Sequence, residues 1–214
     1  MPFILTQQPS IGNHFLAELR DAQIQQDSMR FRKNLERLGE IFAYEISKNL
    51  SFSQSDIETP LGTATTPLLN EMPVLSTILR AGLPLHQGLL NFFDGADSAF
   101  IGAFRKTHKT GKFTIELKYF TSPNLNGRTL ILADPMMATG QSIVLCCKEL
   151  MRQYKIKDLH IVSVIASTEG LAHVQAHLPK AKIWLGDLDD ELTSKSYIVP
   201  GLGDAGDLAF GEKV

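Results

Sequence analysis

The stretch Thr129-Leu130-Ile131-Leu132-Ala133-Asp134-Pro135-Met136-Met137-Ala138-Thr139-Gly140-Gln141-Ser142 decides the architecture. Thr129–Ala133 is a short apolar run, as expected of a strand buried on both faces. It delivers a carboxylate, passes through a turn of small and hydroxyl residues, and opens a helix over Ser142–Tyr154, with Leu145 and Leu150 on its apolar side. Strand, tight turn and helix in that order leave backbone N–H groups free at the helix start, which makes a seat for a phosphate. Ala138 to Ser142 can wrap such an anion with main-chain donors and the Thr139 and Ser142 hydroxyls, while Gly140 permits close approach. An ordinary junction is the competing reading of this pentapeptide, and a turn cap is that of Asp134. Neither a Walker loop nor a dinucleotide fingerprint is present.

The alternation of strand and helix continues on both sides of this stretch. Upstream, from Glu71, Pro73–Leu79 reads as a strand, Leu83–Phe93 as a helix, and Ser98–Phe104 and Thr114–Phe120 as strands around a lysine-rich segment. Downstream come a strand over Leu159–Ala166, a helix over Thr168–His177 and a strand over Lys182–Leu185. That order predicts an α/β fold with a mostly parallel sheet flanked by helices. The first fifty residues read as helical. Asn13 is read as the cap of a helix reaching Leu19, and Ser28 as the cap of a longer one carrying Phe31, Leu35, Leu38, Phe42 and Ile46 at spacings of three or four. Its charged face, Arg30 to Glu40, is expected to be solvated. Residues 1–214 thus form one domain, with a helical arm at 1–52 that could pack on a second subunit and an α/β core at 53–214.

Composition narrows the function classes. A formal charge of −2 argues against a dedicated nucleic-acid binder. No run approaches the roughly 20 apolar residues that span a bilayer, and the N-terminus lacks a signal-peptide pattern, so a cytoplasmic protein without a membrane partner is expected. Cys146 and Cys147 are adjacent and read as buried small apolar residues, a metal pair or redox switch being the alternative. The histidines show no metal-binding pattern; His173 and His177, four apart, lack an accompanying acid motif.

In open parallel sheets, ligands sit outside the carboxyl ends of the strands. Arg80-Ala81-Gly82, Phe104-Arg105-Lys106, Asp134 to Ser142, and Ala166-Ser167-Thr168-Glu169 all follow apolar runs and are expected on that rim. A surface arginine is the competing reading for Arg80. A second signal is Tyr197-Ile198-Val199-Pro200-Gly201-Leu202-Gly203-Asp204-Ala205-Gly206-Asp207, a glycine-rich loop suited to hold a flat ring, or else a plain surface turn.

With these segments in view, the chain resembles the uracil phosphoribosyltransferase family. The resemblance is carried by Ile78-Leu79-Arg80-Ala81-Gly82, by Asp134-Pro135-Met136-Met137-Ala138-Thr139-Gly140 and by Tyr197 to Asp207. Ala43-Tyr44-Glu45 and Glu58-Thr59-Pro60-Leu61-Gly62 correspond more weakly, and the likeness runs from about residue 14 to the C-terminus. Pro135 stands where most type I phosphoribosyltransferases carry a second acid, and proline there marks the uracil branch.

The resemblance implies a phosphoribosyltransferase-like fold with a β-hairpin hood at about 105–120 and a C-terminal base-binding loop. It implies transfer of the 5-phosphoribosyl group from phosphoribosyl pyrophosphate to uracil N1, giving UMP and pyrophosphate in pyrimidine salvage. Mg²⁺ would act through the pyrophosphate and ribose oxygens of the substrate, with few direct protein ligands. Asp134, Pro135, Met136, Met137, Ala138, Thr139, Gly140, Gln141 and Ser142 would hold the ribose 5-phosphate, Asp134 at the ribose hydroxyls. Arg80 and Arg105 would meet the pyrophosphate. Ile198, Gly203, Asp204 and Ala205 would form the uracil pocket, with Asp204 also reaching the donor. Asp134, Arg80, Arg105 and Asp204 are thereby the implied catalytic set. Relatives are dimers or larger assemblies, and some bind GTP as an activator.

Three departures stand out. Gln141 occupies the place of a usual second glycine, Lys106 that of an acidic or polar residue, and Thr107 to Phe120 keeps little of the family pattern. Lys106, Lys109 and Lys112 read as a solvated hairpin, attraction of pyrophosphate being the alternative. Two other functions compete: a regulator that binds the donor or UMP without turnover, and a purine transferase. The net charge of −2 disfavours an RNA-binding regulator, and Pro135 with the C-terminal loop disfavours the purine reading.

Overall fold

The computed structural model describes residues 1–107 and 113–213, with backbone alone at 103–107 and 113–118. In chain order the elements are β1 (Phe3–Ile4), α1 (Ile11–Arg20), α2 (Ser28–Ser47), β2 (Phe52–Thr59), β3 (Gly62–Leu69), β4 (Val74–Leu79) and α3 (Leu83–Phe92). They continue with β5 (Ser98–Thr107), β6 (Phe113–Thr121), β7 (Thr129–Ala133), β8 (Met136–Met137), α4 (Gln141–Gln153) and β9 (Asp158–Ser167). The last are α5 (Thr168–His177), β10 (Lys182–Asp189), β11 (Glu191–Leu192), β12 (Ile198–Val199) and α6 (Ala205–Phe210).

An eight-stranded sheet runs β1-β10-β9-β7-β4-β5-β6, with β8 also paired to β9. Every pairing in it is parallel except β5 with β6. Both faces are covered, and β7 shows how its sequence serves them. Leu130 and Leu132 pack into one apolar cluster with Ile143, Cys147 and Leu150 of α4. Ile131 and Ala133 join the other, with Phe31, Leu35 and Phe42 of α2. Alternate residues of a strand point to opposite faces, so a doubly covered strand must be apolar throughout.

Helix ends differ from expectation in detail. Ser10, not Asn13, begins the first helix; Asn13 lies three residues inside and its Oδ1 accepts from the Ser10 N–H at 3.2 Å. Asp27, not Ser28, caps the second, accepting from Met29 and Arg30 N–H. A carboxylate one position earlier meets both free N–H groups better than the serine hydroxyl. Leu145 is 36% exposed, whereas Val144 and Cys146 are buried on the α4 faces that meet the sheet. The apolar residues of α2 are buried inside the chain, chiefly against α3 and α1.

The β2–β3 hairpin has no counterpart in the elements read from the sequence. It turns through Pro60-Leu61, pairs Phe52 with Leu69 through Thr59 with Gly62, and is exposed along nearly its whole length. Strands bare on both faces carry no period-two apolar pattern, which is why Ser53 to Thr66 gives no strand signal.

Candidate functional site

The strand order creates a switch point. β4 leads through α3 to β5 on one side, while β7 leads through α4 to β9 on the other. Thr77 pairs with Ala133, so the chain leaves the sheet at Leu79-Arg80 and at Ala133-Asp134 side by side. Open α/β sheets bind ligands outside such a point. A cavity of about 550 Å³ lies there. Leu79, Arg80 and Ala81 line it from the β4 end, and Asp134, Met136, Ala138 and Ser142 from the β7–α4 loop. Ser196, Tyr197, Ile198, Gly203, Asp204, Ala205, Gly206 and Lys213 close it from the C-terminal segment. Another cavity, of about 580 Å³, lies at the β1–β10 edge beside Phe3, Lys48 and Trp184 and contains none of the candidate catalytic or binding residues.

The loop after β7 is built from the sheet outward. The Asp134 N–H donates to Val162 O at 3.0 Å, and its Oδ1 accepts from the Met136 N–H at 3.4 Å, the turn contact expected of a carboxylate here. The Pro135 carbonyl accepts from the Val164 and Ile165 N–H groups, both at 3.0 Å. Met137 pairs with Ala166 and its side chain is buried. Pro135 and Met137 therefore anchor the loop and do not line the cavity. Thr139, Gly140 and Gln141 carry the chain from the lining residue Ala138 to the lining residue Ser142.

Gly140 has φ 70°, and a Cβ there would lie 2.7 Å from the Gly170 carbonyl oxygen. Gly140 takes the left-handed turn; Gln141 starts α4 without positive φ, so its side chain is accommodated. The segment Ala166 to Glu169 lies at the carboxyl end of β9, as expected, but does not line the cavity; its Ser167 buttresses this loop from beneath. Ser167 is fully buried, its Oγ donates to the Ala138 carbonyl at 2.6 Å, and it accepts from the Gly170 N–H at 2.8 Å. The following helix packs so close to the loop that Ser167 is left no solvent.

The glycine-rich loop is held by residues the sequence reading passed over. Asp189, 6% exposed, takes both Arg20 terminal nitrogens at 2.9 and 2.7 Å and the Gly201 N–H at 2.9 Å. Arg20 also donates to the Gly201 carbonyl at 3.0 Å and to Asp187 at 2.7 Å. Gly201 has φ 59°, and a Cβ would stand 2.1 Å from the Ile198 carbonyl oxygen. A side chain there is excluded twice, by dihedral and by space. The Val199–Pro200 and Leu79–Arg80 peptide bonds are both cis.

Charges cluster where the C-terminal segment folds back. Arg80 donates to Asp207 Oδ1 at 3.3 Å and to the Gly211 carbonyl at 3.1 Å. Lys213 reaches Asp204 Oδ2 at 3.0 Å and Asp207 Oδ1 at 3.6 Å. Asp204 caps α6 through the Gly206 and Asp207 N–H groups. Burial pushes the Asp204 carboxyl up, but those amides and the Lys213 ammonium outweigh it and hold it below the usual carboxylate range. Lys213 had no signal in the sequence; a lone terminal lysine looks like any solvated one.

Arg105 belongs to β5 and pairs with Ile115, three residues beyond Gly102, the partner of Leu79. At about 3.3 Å per residue its backbone stands roughly 10 Å past the β4 end. The side chains of Arg105 and Lys106 lie outside the described residues, as do His108, Lys109 and Lys112.

Cys146 and Cys147 are free and buried. Burial, and then the Asp134 charge, push the Cys146 thiol up to about 12, and burial raises Cys147 as well, so neither supplies a thiolate. Burial lowers His86 to about 4, and burial with the Lys182 charge lowers His160 to about 4. Among the described residues no three His, Cys, Asp or Glu side chains form a metal-holding group. Nor is any helix among them long and apolar enough to cross a membrane.

Comparison with known proteins places this geometry. The family model described as uracil phosphoribosyltransferase matches residues 5–212. A protein of Porphyromonas gingivalis named uracil phosphoribosyltransferase is 46% identical over 206 residues, covering 96% of this chain and 95% of the relative. One of the same name from Thermococcus gammatolerans is 40% identical, covering 92% and 87%. Among solved structures, the AQ2163 protein from Aquifex aeolicus superposes with a TM-score of 0.88 at 29% identity, over the full length of both chains.

Proposed function

The chain belongs to the uracil phosphoribosyltransferase family, and from that membership we infer that it transfers the 5-phosphoribosyl group from phosphoribosyl pyrophosphate to uracil. The products are UMP and pyrophosphate, and the role is pyrimidine salvage. The observation that carries the reading is the single cavity at the β4/β7 switch point, shared by Arg80, Asp134, Ser142 and the Ile198–Ala205 segment. A sugar phosphate on the β7–α4 loop and a base on the C-terminal loop then face each other across one space.

In this reading the main-chain N–H groups of Ala138 to Ser142 and the Thr139 and Ser142 hydroxyls take the 5-phosphate at the start of α4. Asp134 takes the ribose hydroxyls and faces the positive charge that develops at the anomeric carbon. Arg80, with Arg105 from the overhanging strand, takes the pyrophosphate, for which a guanidinium fork is suited. The N1–C1 bond forms as the C1–O bond to pyrophosphate breaks, and the N1 proton is released. No side-chain nucleophile is required, since positioning and charge stabilisation lower the barrier.

Backbone groups of Ile198, Gly203 and Ala205 read the acceptor–donor–acceptor edge of uracil. Arg20 and Asp189 keep that loop from adapting to cytosine, whose edge reverses two of those functions. A polar site of this kind rejects a mismatched analogue by about 10⁴–10⁵. The side chains fit a Mg²⁺ bound chiefly through donor oxygens, because the cavity offers separate carboxylates, Asp134 and Asp204, and among the described residues no cluster. Such an ion, when bound, neutralises charge on the leaving pyrophosphate.

The test is UMP formation from labelled uracil, the donor and Mg²⁺, with cytosine and hypoxanthine as competing bases. Turnover with uracil and none with the other two is expected. Retention of ligand without UMP would mark a regulator instead, and turnover of hypoxanthine a purine enzyme.

The protein also acts as a homodimer or larger assembly. Support comes from the β2–β3 hairpin, where Phe52, Ile57 and Leu68 are 46, 40 and 44% exposed and Leu61 99%. A two-stranded hairpin alone in water is marginal at best, so a second copy covering it would account for its order. Light scattering is expected to give at least twice the 23.7 kDa chain mass, and Ile57→Asp with Leu68→Asp to lower it. A monomer at micromolar concentration would refute this.

A further inference from the structure

We propose that Lys213 is a second cationic contact for the pyrophosphate end of the donor, working beside Arg80. The inference rests on the transferase reading above and adds a residue to it. Arg80 and Lys213 both converge on Asp207 Oδ1, at 3.3 and 3.6 Å, so their charged heads lie within about 7 Å of one another. A carboxylate oxygen that bridges a guanidinium and an ammonium occupies a place equally suited to a phosphoryl oxygen, since both acceptors form the same charge-assisted bonds. Two cations at that separation span neighbouring oxygens of a diphosphate.

Charge bookkeeping on the cavity wall points the same way. Its described lining carries two carboxylates, Asp134 and Asp204, against two cations, Arg80 and Lys213. Without Lys213 the wall would be net negative toward a ligand bearing several negative charges, an arrangement that repels at contact distance. The tail is also turned into the site. Gly211 offers its carbonyl to Arg80 at 3.1 Å, and the Lys213 stem lies over α6, its Cε 3.9 Å from where a Gly206 Cβ would stand. The Lys213 side chain is 61% exposed and so has room to move from Asp207 to a ligand.

The competing account confines Lys213 to holding Asp204. Steady-state UMP formation by the full chain separates the two, with donor varied at saturating uracil and then the reverse. Lys213→Met is expected to raise the donor KM about tenfold, the loss of one charge-assisted contact, while the uracil KM stays within about twofold. Lys213→Arg is expected to restore the donor KM. Lys213→Gln, which keeps a hydrogen-bond donor toward Asp204 without the charge, should behave as Lys213→Met does. An unmoved donor KM, a rise confined to the uracil KM, or rescue by Lys213→Gln would each overturn the proposal. Melting curves alongside would reveal any unfolding, which would lower kcat in all three variants rather than separate Arg from Gln. If the parent chain makes no UMP, the transferase reading itself fails; an active parent with an indifferent Lys213 sinks only this inference.

Discussion

Asp134→Asn is expected to lower kcat for UMP formation by at least about tenfold and by up to about 10³, the range seen when one preorganised electrostatic group is removed from an active site. The substitution is nearly isosteric. An asparagine Oδ1 can still accept from the Met136 N–H, which Asp134 does at 3.4 Å, and the backbone bond to Val162 is untouched. The loop should therefore keep its shape and the melting temperature should barely change. On the proposed role, what disappears is a charge facing the anomeric carbon, which matters more in the transition state than in the bound substrate. Loss should fall on kcat more than on KM. By comparison, the dipole of α4 at a partly exposed end contributes only about 0.3–1 kcal/mol. Wild-type turnover in this variant would remove Asp134 from the chemistry and leave it the turn cap.

The second large effect is expected at a residue outside the cavity wall. Asp189→Ala should destabilise the fold by about 3–5 kcal/mol, the usual consequence of stripping one partner from a buried ion pair. Asp189 is 6% exposed and satisfies two Arg20 nitrogens and the Gly201 amide, so its removal leaves a half-buried guanidinium with only Asp187 and the Gly201 carbonyl as partners. For a chain of this length each kcal/mol shifts the melting temperature by roughly 2–4 °C. The lost Gly201 anchor should also raise the uracil KM, because Pro200 to Gly203 would no longer present one fixed set of backbone groups. The donor KM should move less, since the β7–α4 loop is held separately through Ser167 and Ala138. A melting temperature within about 3 °C of the parent would show that the network is not needed for the fold.

Much of the core was legible because its signals are local. Thr129–Ala133 reads as a buried strand from five residues, and the observed β7 has those bounds. Residues 205–210 form a one-turn-and-a-half helix inside what reads as a loop, because Gly201, Gly203 and Gly206 lie close to its cap, Asp204, and normally speak for a turn. The hairpin at 52–69 stayed hidden for the opposite reason to a core strand: with both faces bare, nothing in it alternates. Helix caps shifted by one to three residues, as side chains one position away reached the same free amides.

The sequence by itself determined the order of the buried core strands and helices, the tight turn after β7 and the apolar faces, since helical and strand periodicities and turn chemistry act over a few residues. The tertiary structure decided that β4 lies beside β7, which brings Arg80 and Asp134 out at one edge. It also decided that Arg20 braces Asp189 from 169 residues away and that Lys213 returns to the Arg80 side chain's own carboxylate partner. Such pairings join single charged groups across the chain, and a lone charge leaves no periodic mark by which its distant partner can be read.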